Sequence, residues 1–242
     1  MAEPFLLDIR DLRRDFGGVQ ALGGVSLQIR RSSITGLIGP NGSGKTTLFQ
    51  VVSGMDRAAT GQIHFDGQPI LGLRPSQIVG LGLARTFQLS RVLPGLTVLE
   101  NLLVASHPGD PEARDRAHSL LKQVNLEEHT DALGKALSYG QQKLVEFLRA
   151  LMRSPKLILL DEPAAGVNPT LRRTLWELVR QVHARGTSLV IIEHHMEVIA
   201  DLCQEVYVLN EGQIIARGPF SQVREDPQVL AAYFGHPSRI AP

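Results

Sequence analysis

The chain has 242 residues, of which 43% are hydrophobic and 20% charged, and its formal net charge is +1. That balance excludes a disordered chain, and no apolar run approaches the roughly 18 to 20 residues needed to cross a bilayer. The basic residues are scattered rather than gathered in a stripe, which argues against a nucleic-acid partner, and the single cysteine, Cys203, excludes an internal disulfide and a Cys-rich metal site.

The start, MAEPFLLDIR, carries acidic residues and no small-residue cleavage site, so a cytosolic chain is expected. FLLDIRDL and VSLQIR alternate apolar and polar positions around FGG, the pattern of antiparallel strands at a turn. ITGLIG, residues 34–39, predicts a short strand ending in glycine, and GKTTLFQVVSG a helix of about three turns closed by Gly54. GQIHFDGQPI reads as strand and turn, PSQIVGLGL as a short helix and ARTFQ as a strand end. From Thr97 to about Met152 the periodicity is helical, so a helical subdomain is expected over 93–152, inserted into an α/β core over 1–92 and 153–235. KLILLDEP and SLVIIEH are near-continuous apolar strands of the kind buried on both faces of a parallel sheet. LRRTLWELVRQVHARG separates them as a helix with Trp176 in the core, and Cys203 is expected buried on a later helix. EVYVLNEGQIIARG predicts a hairpin turning at Asn210–Gly212, PFSQVREDPQVLAAYFG two closing helices, and 236–242 a frayed tail. The whole is one domain, 1–242.

Three motifs carry chemistry. Residues Gly39 to Thr46 fit GxxxxGK[ST] between a strand and a helix, the context that a phosphate loop requires. Glycines 39, 42 and 44 let the backbone turn with its N–H groups inward, a nest for phosphate at a helix N-terminus. Pro40, Asn41 and Ser43 complete the loop. Lys45 is suited to neutralise β and γ oxygens, Thr46 to ligate Mg²⁺, and Thr47 to add a further phosphate contact. This predicts the α/β fold of P-loop NTPases (RecA-like), with a mostly parallel sheet and an N-terminal antiparallel β subdomain. In LILLDEP, Asp161 and Glu162 stand at the carboxyl end of a buried strand, the edge where such sheets bind ligands. Asp161 is expected to hold Mg²⁺ and Glu162 to polarise the water that attacks the γ-phosphate. In LSYGQQ, Ser138 and the Gly140 amide open a helix, where they suit either an ordinary N-cap or a second phosphate site.

Taken together, GPNGSGKTT, LSYGQQ, LILLDEP and VIIEHH resemble the nucleotide-binding subunits of ABC transporters, from about Phe5 to Gly235. The resemblance implies ATP as ligand, with Mg²⁺, and a head-to-tail pair of ATPase subunits. In such a pair Ser138, Gly140 and Gln141 close on the γ-phosphate held by the partner's loop. It implies that Phe16 stacks on adenine, that Gln88 links Mg²⁺ and the attacking water to membrane subunits, and that His194 senses the γ-phosphate. Read without it, Phe16 serves equally as a core aromatic, Gln88 as a strand terminus and His194 as a partly buried histidine.

The wording ARTFQLSRVLPGLTVLENLLVA, DEPAAGVNP, IIEHHMEVI and DPQVLAAYFG is similar to the ATPase subunits of bacterial branched-chain amino acid importers. Tyr139 replaces the commoner glycine of the signature, and Asn168 the usual aspartate after the catalytic glutamate. His195 stands where aspartate is common. The importer reading implies two permease subunits, a periplasmic solute-binding protein and a place on the cytoplasmic face of the plasma membrane. Rival readings are an ATPase of an exporter or lipopolysaccharide-extracting system, and a non-transport ATPase acting on DNA or ribosomes. The chain lacks the coiled-coil arms and zinc fingers usual in the last class.

Overall fold

The computed structural model describes residues 5–86 and 92–234, folded as two compact units, 1–81 with 188–242 and 82–187. The first unit opens with β1 (Phe5–Phe16) and β2 (Val19–Arg30), an antiparallel hairpin turning at Gly17 and Gly18. Leu7, Ile9, Leu27 and Ile29 bury their side chains there, each worth roughly 1.5–3 kcal/mol when fully removed from water. β3 (Ile34–Ile38) is buried throughout and runs into the glycine-rich loop that precedes α1 (Lys45–Val52). β4 (Thr60–Phe65) pairs with β1, β5 (Gln68–Pro69) pairs with β4, and α2 (Pro75–Gly80) follows. This gives a sheet of order β2-β1-β4-β5. Helix α1 has 8 residues, about two turns rather than the expected three. The chain leaves it through Gly54 at φ 71, where a Cβ would lie 2.5 Å from the Leu73 carbonyl oxygen.

The second unit pairs β6 (Leu83–Arg85) with β7 (Leu157–Asp161) in parallel. Between them lie α3 (Val98–Leu103), α4 (Ala113–Gln123), two 3₁₀ turns and α5 (Tyr139–Leu151); α6 (Pro169–Ala184) follows β7. Val98, Leu102, Ala117, Leu121, Val145 and Leu148 are each 0% exposed, and their three- and four-residue spacings put them on facing stripes of α3, α4 and α5. Asn101 is also fully buried, and both polar atoms of its side chain are hydrogen-bonded. Its Oδ1 accepts from the Leu93 N–H at 2.7 Å, and its Nδ2 donates to the Leu93 and Thr97 carbonyls at 3.0 and 2.9 Å. That amide pins the loop before α3. Trp176 packs in the core as expected, beside Leu175, Val179 and Val182 on α6.

The chain then returns to the first unit as β8 (Ser188–Ile192), α7 (Met196–Leu202), β9 (Glu205–Asn210), β10 (Gln213–Gly218), α8 (Phe220–Val223) and α9 (Pro227–Phe234). The order within this unit is β10-β9-β3-β8, with β3 parallel to both β8 and β9 and the final hairpin antiparallel. Tyr207 on β9 ties this sheet to the hairpin: its hydroxyl donates to the Gln28 carbonyl at 2.9 Å and accepts the Gln28 N–H at 3.2 Å. Cys203 caps α7, and burial pushes its thiol up to about 12, so it packs as an apolar group. The fold is the α/β arrangement read from the sequence, and among the described residues no helix is long and apolar enough to cross a membrane.

Candidate functional site

In the first unit β3 and β8 are parallel neighbours, so the residues that follow them share one sheet edge. The phosphate-loop residues follow β3, and His194 follows β8. Gly39 has φ 151, and a Cβ there would stand 1.9 Å from the Leu209 carbonyl oxygen; Gly44 has φ 106, and its Cβ would stand 2.5 Å from the Ala21 carbonyl oxygen. Only glycine fits a backbone this close to its neighbours in this conformation. The loop is fixed further by the Gly212 N–H, which donates to the Ser43 carbonyl at 2.9 Å, while the Gly23 N–H donates to the Gly212 carbonyl at 2.8 Å. The tip of the last hairpin and strand β2 therefore hold the loop from the side.

Lys45 is 7% exposed, and its ammonium donates to the Gly39 and Pro40 carbonyls, both at 2.8 Å, and to the Ser43 hydroxyl at 3.4 Å. A cation held over the loop and a helix start without an acidic residue in its first turn make this a seat for an anion. Asn41, Gly42 and Thr46 are exposed, whereas Pro40 and Thr47 are half-buried. Phe16 ends β1 at 44% exposure with the Arg14 guanidinium 3.9 Å from its ring centroid. It is thus a surface aromatic and not the core residue that was its alternative reading. His194 is exposed as well, and its backbone N–H donates to the carboxylate of buried Glu193 at 3.2 Å. The same carboxylate meets the His195 ring at 3.1 Å.

The second unit places the two acids of LILLDEP at the carboxyl end of β7. Asp161 is 2% exposed, its N–H donates to the Thr86 hydroxyl at 3.4 Å, and its carboxylate pairs with Arg85 at 3.0 Å. Burial raises its pKa, opposed by the Arg85 guanidinium. Glu162 is half-buried and sits at φ 46, a left-handed conformation costly for a side chain with a Cβ and concentrated at functional sites. Its backbone turns the chain sharply, so the two neighbouring carboxylates meet different surroundings. Taken each within its own unit, the Asp161 carboxylate and the Thr46 hydroxyl are hard oxygen donors of the kind that suits Mg²⁺.

Ser138 caps α5. Its hydroxyl accepts the Gln141 N–H at 3.4 Å, and the Gln141 side chain accepts the Ser138 N–H at 2.9 Å. Ser138 is exposed and Gly140 buried, where a Cβ would meet Leu171 at 2.7 Å. Tyr139 lays its ring on Gly166, whose added Cβ would be 3.0 Å from the ring edge at a φ of 70. Asn168 caps α6 by accepting the Leu171 N–H at 3.0 Å, a role that asparagine and aspartate both fill. Gln88 lies outside the described residues. Sequence reasoning missed Arg85, which pairs with Asp161, and Gly166, on which Tyr139 packs; the signals were the arginine of ARTFQ and the glycine of DEPAAGVNP.

Comparison with known proteins bears on these groups. The family described as ABC transporter matches residues 22–165, and the family described as branched-chain amino acid ATP-binding cassette transporter matches residues 213–238. The high-affinity branched-chain amino acid transport ATP-binding protein LivG of Escherichia coli is 36% identical over 97% of this chain and 99% of its own length. BraF of Pseudomonas aeruginosa, with the same description, is 35% identical over the same shares of the two chains. A probable LivG of Methanocaldococcus jannaschii is 36% identical over 95% of this chain and 97% of its own. Among solved structures, a nucleotide-free ATP-binding cassette from an ABC transporter matches with a TM-score of 0.88 at 35% identity, covering 96% of this chain and 100% of its own. An ADP-bound cassette matches with a TM-score of 0.86 at 35% identity, covering 96% and 99%.

Proposed function

Since the chain belongs to the ATP-binding cassettes of ABC transporters, we propose that it hydrolyses ATP to power uptake of branched-chain amino acids through membrane permease subunits. The observation that carries the solute class is the match over residues 213–238. That segment lies beyond every ATP motif, so it reports the branch of the family and not the shared chemistry.

In this reading ATP lies along Gly39–Thr47 with its adenine on Phe16. Lys45 and the loop amides bind the β and γ phosphates, and Glu162 orients and polarises the attacking water while His194 senses the γ-phosphate. Mg²⁺, held by Thr46, Asp161 and Gln88, would supply charge neutralisation at the phosphate oxygens. Ser138, Gly140 and Gln141 act on the nucleotide of a second ATPase subunit, so the chain works as one half of a head-to-tail dimer. Closure of that dimer moves two permeases at the cytoplasmic face of the plasma membrane, and a solute-binding protein delivers substrate from the other side.

Affinity capture of the tagged chain from gently solubilised membranes tests the assembly. Two polytopic permeases and a solute-binding protein are expected to come with it. Recovery with ribosomes or DNA instead would contradict transport.

A further inference from the structure

We propose that His195 is a positioning residue, whose ring and the buried Glu193 carboxylate together clamp the turn that carries His194. This rests on the reading of His194 as the γ-phosphate sensor and extends it to a neighbour to which that reading gives no role.

Strand β8 ends at Ile192 and α7 begins at Met196, so Glu193, His194 and His195 make the whole turn from sheet to helix. Glu193 is 3% exposed, and its Oε2 lies 3.2 Å from the His194 backbone nitrogen and 3.1 Å from the His195 Nδ1. A carboxylate only accepts hydrogen bonds, so the His195 ring carries a proton on Nδ1 and donates it there. A single oxygen therefore joins the backbone of His194 to the ring of His195. The His195 side chain is 53% exposed, so this hydrogen bond rather than burial fixes it.

His195 is also the N-cap of α7, yet its side chain makes no capping hydrogen bond. Serine, threonine, aspartate and asparagine are the residues that such a position favours, because their side-chain oxygen accepts a helix N–H. Here the ring meets the acid that follows the strand instead. A local preference set aside at an exposed position marks a side chain that serves something other than its own helix.

What it serves is the backbone of His194. β3 and β8 are parallel neighbours, and His194 stands exposed at the same sheet edge as the phosphate loop. A ring that must reach a γ-phosphate oxygen has to be held to within about 0.5 Å, and a displacement of about 1 Å can cost roughly 10²-fold in rate. Without the His195 donor, the buried carboxylate loses one of its hydrogen bonds and its hold on the His194 N–H slackens. The phosphate loop binds the nucleotide as before, so the damage falls on turnover and not on ATP affinity.

The test compares ATPase kinetics of the full chain carrying His195→Ala, His195→Asn, His194→Ala, or His195→Ala together with His194→Ala. His195→Ala is expected to lower kcat about 5- to 20-fold with KM for ATP within about twofold of the parent. His195→Asn, whose amide nitrogen can take the place of Nδ1, is expected to recover most of the loss. In the His194→Ala background, His195→Ala is expected to cost less than about twofold further, because the group it positions is already gone. His195→Ser, which can cap α7 itself, replaces the Ala variant if that one does not fold. Normal turnover in His195→Ala, a loss confined to KM, no recovery in His195→Asn, or a full additive loss in the double variant would each overturn the proposal. His194→Ala alone separates the two readings: if it hydrolyses ATP normally, the sensor reading fails and this one with it. If it is impaired while His195→Ala is normal, this inference fails alone.

Discussion

Glu162→Gln is expected to lower the rate of ATP hydrolysis by about 10² to 10⁴, or ~3 to 5.5 kcal/mol of barrier, while ATP binding is retained. The structure distinguishes the two acids in a way that supports this assignment. Asp161 is sealed in the sheet and engaged by Arg85, so its charge is committed to a fixed point. Glu162 is half-buried on a backbone turned to φ 46, at the strand end where a ligand is approached from solvent. Glutamine has the same length and pays the same backbone cost, so the substitution removes only the charge and the basicity. An ATP-loaded closed dimer is expected to accumulate, measurable by size-exclusion chromatography with ATP. Normal turnover in this variant would refute the role given to Glu162.

Ser138→Arg is expected to abolish hydrolysis, at least about 10²-fold, yet to leave nucleotide affinity of the isolated monomer unchanged. Ser138 is exposed and caps α5, so arginine both removes a cap worth about 1 kcal/mol and sets a long side chain across the surface that the proposed dimer would use. Ser138→Asp separates these effects. Aspartate caps as well as serine, so the melting temperature is expected to be kept, whereas its carboxylate would repel the γ-phosphate and hydrolysis is still expected to be lost. Fluorescent nucleotide titration of dilute protein provides the affinity. A parallel fall in monomer binding would mean that Ser138 acts on the nucleotide of its own chain.

Local pattern carried much of this into the sequence. Alternation in FLLDIRDL and VSLQIR marked the first hairpin, and the apolar runs of LILLD and SLVII marked strands that are buried at every position. The phosphate loop was legible because its glycines answer a backbone demand that now has a visible cause, the Leu209 and Ala21 carbonyls beside Gly39 and Gly44. The two alternatives for Ser138 were both physical. It is an N-cap, and an exposed one, so capping does not compete with a role toward a partner.

What stayed hidden depended on contacts between distant segments. Arg85 gains its meaning only when β6 lies beside β7 and brings it to Asp161. The positive φ of Glu162 has no local signature, since glutamate carries no preference for that conformation. Phe16 was ambiguous for the same reason: its exposure is set by where β1 ends, beside Arg14 and ahead of the glycine turn.

On this reading, ATP hydrolysis by the chain drives inward movement of branched-chain amino acids. Its most direct test is uptake of labelled leucine, isoleucine or valine by proteoliposomes containing the captured permease complex, with solute-binding protein on the side opposite the ATPase. Accumulation that requires ATP and disappears with Glu162→Gln is expected. ATP hydrolysis that ignores the loaded binding protein, or movement of solute only in the outward direction, would contradict it.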